Sequence, residues 1–158
     1  MPELALPLVP QALDFTCGAA CFESMFRFLK GWSPGELHFA RELGTLQTGF
    51  TPPEKIAELA THYGFDVLLR RGAAFTELRE TFREGGVVFV TWWDDEAGHY
   101  SLVRAIGKSE IILMDPWSAR EGRETRLVIE DFESRWKMRG AVYISVHAKE
   151  SLSLGHVY

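Results

Sequence analysis

The sequence predicts an α+β fold: a mainly helical half, residues 11–64, packed on a mainly β half, residues 65–147, with a tail at 148–158. Three observations carry this. Between Cys17 and Gly64 the apolar residues recur at helical spacing, and two proline-marked helix starts interrupt them. From Phe65 onward, short β-branched and aromatic runs are separated by Gly-containing turns, the pattern of antiparallel strands. The chain has 158 residues, 46% of them hydrophobic, with no repeat and no linker rich in Gly, Ser or Pro, which suits one compact domain over 1–158.

The elements follow in order. Residues 1–16 read as extended, because Pro7 and Pro10 exclude helix. Ala20, Cys21, Met25, Phe28 and Leu29 mark a helix from Cys17 to about Lys30, stopped by Gly31. Ser33-Pro34-Gly35-Glu36 reads as a capping box that starts a helix running to Gly44, and Thr45–Phe50 as a loop. Thr51-Pro52-Pro53-Glu54 repeats the device, with Ile56, Ala57, Leu59 and Ala60 as the apolar face and Gly64 as the stop. Phe65–Arg70 reads as a strand, and Phe75, Leu78 and Phe82 as a helix closed by Gly85-Gly86. Val87–Trp93 is nearly continuously apolar, as a central strand is. His99–Ile106 and Glu110–Met114 read as a hairpin about Gly107-Lys108-Ser109. After a charged loop, 118–126, come a short strand at 127–129, a helix at 130–137 and a closing strand, Ala141–Val146.

Composition excludes several classes. Net charge is −5 with no Lys/Arg cluster, so neither nucleic acid nor an anionic membrane is an expected partner. No run approaches the ~18 apolar residues of a membrane span. The proline-broken N-terminus lacks the basic start of a signal peptide. Cys17 and Cys21 lie one helical turn apart, awkward for a disulfide and unlike a zinc site. Reduced thiols and a cytoplasmic location are the expectation.

Chemistry concentrates first at Gln11–Cys21. A thiol attacks as thiolate, a form that a helix N-terminus and a nearby imidazolium both favour. Cys17 is thus a candidate nucleophile. Its backbone N–H and the Gln11 amide, six residues earlier, are candidate oxyanion donors. Gly18 leaves room beside the sulfur for a substrate backbone. Taken alone, Cys17 reads equally well as a buried small hydrophobe.

The His99 hairpin supplies candidate partners. With a three-residue turn, Ile106 pairs with Glu110 and Ser101 with Asp115, which puts His99 and Asp115 on one face, one diagonal apart. A one-residue slip would separate them. In this register Asp115 orients the imidazole and His99 serves as base and then acid. The plain alternative is that Asp115-Pro116 is only a turn.

Asp94, Asp95 and Glu96 read as a solvated loop rather than a metal site, and no cofactor is implied. Trp92, Trp93 and Trp117 read as core or as walls of a peptide groove. Cys21 reads as core; His38 and His62 read as surface or structural; His147 and His156 carry no signal.

Gln11, Cys17-Gly18, Gly98-His99-Tyr100 and Ile112-Leu113-Met114-Asp115-Pro116 together resemble the bacteriocin-processing cysteine peptidases, which cut peptide leaders after a double glycine. Their spacings, the helices ending near Gly64-Phe65, and Phe132…Trp136…Gly140 extend the resemblance over about 9–146. It implies a papain-like fold, with Cys17, His99 and Asp115 as triad and Gln11 in the oxyanion hole. Gly18, Gly98 and Trp117 are the expected substrate-binding positions. The family often has an acidic residue before the cysteine; here it is Thr16. The chain contains no transporter segment. The expected function is cleavage of a peptide or protein through a thioester on Cys17. The alternatives are acyl transfer or deamidation by the same residues, or a non-catalytic peptide-binding module.

Overall fold

The structure is a computed structural model and describes residues 3–93 and 98–149. Its helices are α1 (Cys17–Lys30), α2 (Glu36–Glu42), α3 (Thr45–Thr48), α4 (Pro53–His62), α5 (Phe75–Arg83) and α6 (Ile129–Met138). Its strands are β1 (Phe65–Arg70), β2 (Val87–Trp93), β3 (Gly98–Ile106), β4 (Glu110–Met114), β5 (Thr125–Val128) and β6 (Tyr143–Ala148). The six strands form one antiparallel sheet in the order β1-β6-β2-β3-β4-β5. The last strand therefore closes between the first two.

Period-two alternation along β2 divides the core between the two faces of this sheet. Val87 and Phe89 point to α1, α2 and α4, where Phe22, Met25, Phe39 and Ile56 are fully buried. Val88, Val90 and Trp92 point to α5 and α6, where Leu78, Phe132 and Trp136 are buried. Both faces are covered, which is why β2 is apolar at every position but Thr91. Each such large side chain contributes about 1.5–3 kcal/mol by leaving water. The expected halves are present, with one refinement: α5 and α6 form a second helical layer across the sheet from α1, α2 and α4.

Three local expectations are corrected. Ser33-Pro34-Gly35-Glu36 is not a capping box: α2 starts at Glu36 with no side-chain cap, and both Glu36 carboxylate oxygens accept from the Ala12 N–H, at 2.8 and 3.1 Å. A tertiary donor captured the carboxylate before its own helix did. Residues 45–48 form a short helix rather than a loop, between Gly44 and Gly49, which both adopt the left-handed conformation.

The third correction concerns the hairpin. At its turn Ile106 faces Ile111, one residue from the expected register. A bulge at Arg104 then absorbs the extra residue, and Val103 faces Leu113 and Leu102 faces Met114, as expected. The bulged residue is held from outside: the Arg104 carbonyl accepts from Leu4 N–H at 2.9 Å, and its guanidinium donates to the Leu4 carbonyl and to Glu124. Continued by one step, the register puts Ser101 opposite Asp115 and His99 one diagonal away.

Candidate active site

Asp115 leaves β4 buried, and each of its carboxylate oxygens has two partners. Oδ1 accepts from the His99 ring at Nε2 and from the Trp117 N–H at 3.0 Å. Oδ2 accepts from Thr125 Oγ1 at 2.9 Å and Ser118 Oγ at 3.2 Å. Those two hydroxyl oxygens also lie 2.7 Å apart, so one of them can turn its proton from the carboxylate to the other. With its lone pairs filled, the carboxylate is fixed in one orientation. Behind the imidazole stands Trp92, edge-on with centroids 5.9 Å apart, its own N–H held by Ser101 Oγ at 3.0 Å.

The pair is electrostatically committed. Burial works against the charged imidazole of His99, but hydrogen bonds to Asp115 and to the Cys17 side chain, and the charges of both, carry its pKa well above the ordinary 6.5. Burial likewise opposes the Asp115 carboxylate. The His99 hydrogen bond and charge, then the Trp117 N–H and the Thr125 hydroxyl, outweigh burial and hold its pKa below the usual range. Both shifts favour imidazolium facing carboxylate. With Nε2 engaged by Asp115, Nδ1 is the nitrogen left for Cys17.

Cys17 is the first residue of α1, so its backbone N–H has no partner within the helix. Its sulfur accepts from the Tyr100 N–H at 3.5 Å. The segment before it is wound around one carbonyl, that of Leu13, which accepts from Gln11 Nε2 at 2.8 Å, Thr16 Oγ1 at 3.1 Å and Thr16 N–H at 3.3 Å. Thr16 is wholly buried and its hydroxyl also accepts from Leu13 N–H. Gln11 is 3% exposed; Nε2 makes a second bond, to the Asp14 carbonyl at 3.1 Å, and Oε1 has no partner among the described residues. Two bonds join this segment to the Asp115 side: Gln11 N–H donates to Pro116 O at 3.1 Å, and the Arg120 side chain donates from Nε to Gln11 O at 3.0 Å.

An open cleft of about 860 Å³ is lined by Gln11, Cys17, His99, Gly98 and Trp117, with Phe15, Phe50, Arg71 and Arg139 also in its walls. Trp117 is 46% exposed, and the Arg120 guanidinium stacks on its ring at 4.2 Å. Gly18 is buried, and a Cβ there would meet Tyr100 Cδ2 at 3.2 Å and Thr51 Cβ at 3.4 Å, so close internal packing is a second reason for a small residue at this position. Cys21 lies wholly in the core, and burial, then the neighbouring Cys17, push its thiol pKa well up. Both cysteines are free. His38 sits on the surface against Glu42. No group of side chains suited to a metal occurs among the described residues. Asp94, Asp95 and Glu96, and the side chain of Trp93, lie outside what the structure describes.

Reading the sequence assigned Glu36 a capping role and missed Ser118, Arg120 and Thr125, all of which orient site residues, and Arg139 in the cleft wall. The phrase after Asp115-Pro116 read as a charged loop, although its hydroxyls face back to the carboxylate.

The peptidase C39 family profile matches residues 5–150, and the chain belongs to this family of cysteine peptidases. No match was found among curated proteins. Solved structures share the fold. The peptidase domain of Streptococcus ComA, a bi-functional ABC transporter involved in a quorum-sensing pathway, superposes with a TM-score of 0.73 at 23% identity, covering 90% of this chain and 98% of that one. A double glycine motif protease from an AMS/PCAT transporter, in complex with its leader peptide, gives 0.73 at 15% identity, covering 94% and 95%. A C39-like peptidase from Bacillus anthracis gives 0.70 at 16% identity, covering 93% and 96%. Among the described residues no helix is long and apolar enough to cross a membrane.

Proposed function

We propose that this chain cleaves a peptide or protein, with a leader peptide as the first substrate class to examine, through a thioester on Cys17. The observation that carries the reading is His99, held on one side by a fully seated carboxylate and electrostatically coupled to Cys17, which stands at a helix N-terminus facing the same open cleft. Cys17 Sγ attacks the scissile carbonyl, and His99 receives the thiol proton and passes it to the leaving amine. Water then attacks the thioester, with His99 again as base, and releases the acid and the thiol. The free N–H of Cys17 is one oxyanion donor. Gln11 is the second: Nε2 exchanges its longer bond, to Asp14 O, for the oxyanion. Asp115 keeps the imidazole in its tautomer and plane. Trp117 and Gly98 wall the substrate cleft. The leader-peptide suggestion draws on the fold relative whose complex holds one.

The test is a peptide-library cleavage assay read by mass spectrometry, with and without an added amine. Cys17→Ala is expected to lose turnover by on the order of 10³-fold or more. A thiol electrophile is expected to label Cys17 and spare the buried Cys21. Undiminished turnover in Cys17→Ala, or equal labelling of both thiols, would rule the reading out. A product carrying the amine would redirect it to acyl transfer.

A further inference from the structure

A guanidinium has five N–H donors, and a cleft that presents one unpaired presents a binding site for an acceptor of matching charge. Two arginines line this cleft. Arg71 is paired with Glu54. Arg139, just past the end of α6, is exposed and has no carboxylate or carbonyl partner among the described residues. Its position is nevertheless defined. A Cβ on Gly98 would overlap the Arg139 guanidinium, so the charged group occupies the space where residue 98 would carry a side chain. Residue 98 directly precedes His99. Thr91 pairs with Tyr100 across the β2–β3 ladder and Trp93 with Gly98, so Thr91 and Gly98 share one face of the sheet, one diagonal step apart. Thr91 is in the cleft wall, and its hydroxyl has no hydrogen-bond partner among the described residues. An exposed cationic group and a buried hydroxyl without a partner thus border the cleft that His99 also lines. The Arg139 charge is also felt at the Tyr100 hydroxyl, whose pKa burial and Cys17 raise and Arg139 opposes.

We propose that Arg139, with the Thr91 hydroxyl beside it, forms a subsite for a substrate carboxylate, so that this chain prefers peptides with an acidic group close to the scissile bond. The inference rests on the peptidase reading above for the identity of its ligand. A carboxylate accepts two parallel N–H bonds from a guanidinium, a geometry that a neutral amide does not reproduce at equal strength. The carboxylate has two sources, an Asp or Glu side chain or a peptide C-terminus.

The test uses matched peptides in which Glu replaces Gln at each position flanking the cleaved bond, each with a free or an amidated C-terminus. Turnover is measured with the wild-type chain, and binding to Cys17→Ala by fluorescence anisotropy. A preference of roughly tenfold for Glu at one position, weakening in high salt, is expected. A preference that follows the free C-terminus instead assigns the subsite to a chain end. In Arg139→Met the ratio is expected to fall to near one. In Arg139→Lys, which keeps the charge but not the fork, it is expected to be intermediate. Gly98→Ala, which dislodges the guanidinium without removing it, is expected to reduce the ratio too. A ratio unchanged in Arg139→Met, with only Tm moved, returns the residue to a structural role and overturns the proposal. If Cys17→Ala binds the Glu peptide more tightly but wild type cleaves nothing, the subsite stands and the peptidase reading falls. If Glu and Gln peptides are cleaved and bound alike, the reverse holds.

Discussion

The two sides of the cleft are built by different means. On the hairpin side, His99 on β3 and Asp115 at the end of β4 belong to a sheet covered on both faces, and side-chain and backbone donors fill the Asp115 carboxylate. On the helix side, Gln11 sits in a six-residue coil around the Leu13 carbonyl, held by a glutamate that is 24 residues away in sequence. The difference is one of preorganisation. The imidazole and carboxylate are already in the orientation their proposed work requires. The Gln11 amide is engaged with its own backbone and, in its proposed role, must release one bond before it serves an oxyanion. The hairpin side therefore resembles a finished part, and the helix side one completed by substrate.

Removing the carboxylate from the finished side should produce the largest contrast. Asp115→Asn is expected to lower kcat/KM by on the order of 10²–10⁴, since an amide holds the wrong tautomer and no longer balances the imidazolium. The pH profile gives the sign. The Asp115 hydrogen bond and charge raise the His99 pKa, so their loss lowers it, and the alkaline limb of kcat/KM moves to lower pH. Stability follows the same two groups. The raised His99 pKa gives a contribution fully present below about 6.5, its unfolded value, and lost as pH rises through the folded value. The depressed Asp115 pKa gives one present above about 3.9 and lost as pH falls. The wild-type minus Asp115→Asn difference in Tm is therefore expected to be largest between about pH 4 and 6.5. A flat difference across pH 3–9 would show that the pair is not coupled as described.

The same contrast explains what was legible in the sequence. A strand has a rigid period of two, so counting residues placed His99 and Asp115 on one face before any coordinates. That counting contained one compensated error. The turn holds one more residue than assumed, and the Arg104 bulge, stabilised by the N-terminal segment at Leu4, restores the register before it reaches the site. Nothing local in Arg104 signals this, because its partners are Leu4, 100 residues away, and Glu124, 20 residues away. Glu36 was misread for a similar reason. A glutamate three residues after a serine is a capping box by local rules, yet it bonds Ala12 instead. Helix and strand existence follows from local periodicity. The long-range polar bonds that aim Gln11 and Asp115 do not, because the Glu, Ser, Thr and Arg that make them have the same local appearance as any other polar residue.

Glu36 offers a smaller perturbation, directed at the other side. Glu36→Ala leaves the Ala12 N–H without its acceptor and is expected to cost about 1–3 kcal/mol in denaturant unfolding. Activity is expected to fall about tenfold in kcat with little change in the alkaline limb, because the coil around Leu13 loosens while the His99–Asp115 pair is untouched. Glu36→Gln retains an acceptor and is expected to recover most of both. A shift of the alkaline limb in Glu36→Ala would mean that the two sides are not separable, and the Gln11 N–H bond to Pro116 O would be the path.

The smallest expected effect bears on where the two sides meet. Gly18 lies under Tyr100, the residue after His99, and beside Thr51, whose hydroxyl bonds Thr45 at 2.6 Å and whose carbonyl accepts the Tyr100 hydroxyl at 2.7 Å. Gly18→Ala places a methyl 3.2 Å from the Tyr100 ring, closer than normal contact by a few tenths of an ångström. The helix itself gains from alanine, by up to about 1 kcal/mol. The contact opposes this by an amount typical of mild overpacking, about 1–3 kcal/mol. The net expectation is a loss of about 1 kcal/mol, seen as a Tm lowered by a few degrees. If the glycine instead served substrate approach to the sulfur, Tm would hold or rise and KM would increase. Measuring Tm and KM on this one variant therefore decides whether residue 18 is small for the sake of the peptide in the cleft or for Tyr100, through which the start of α1 is packed against the strand that carries the imidazole.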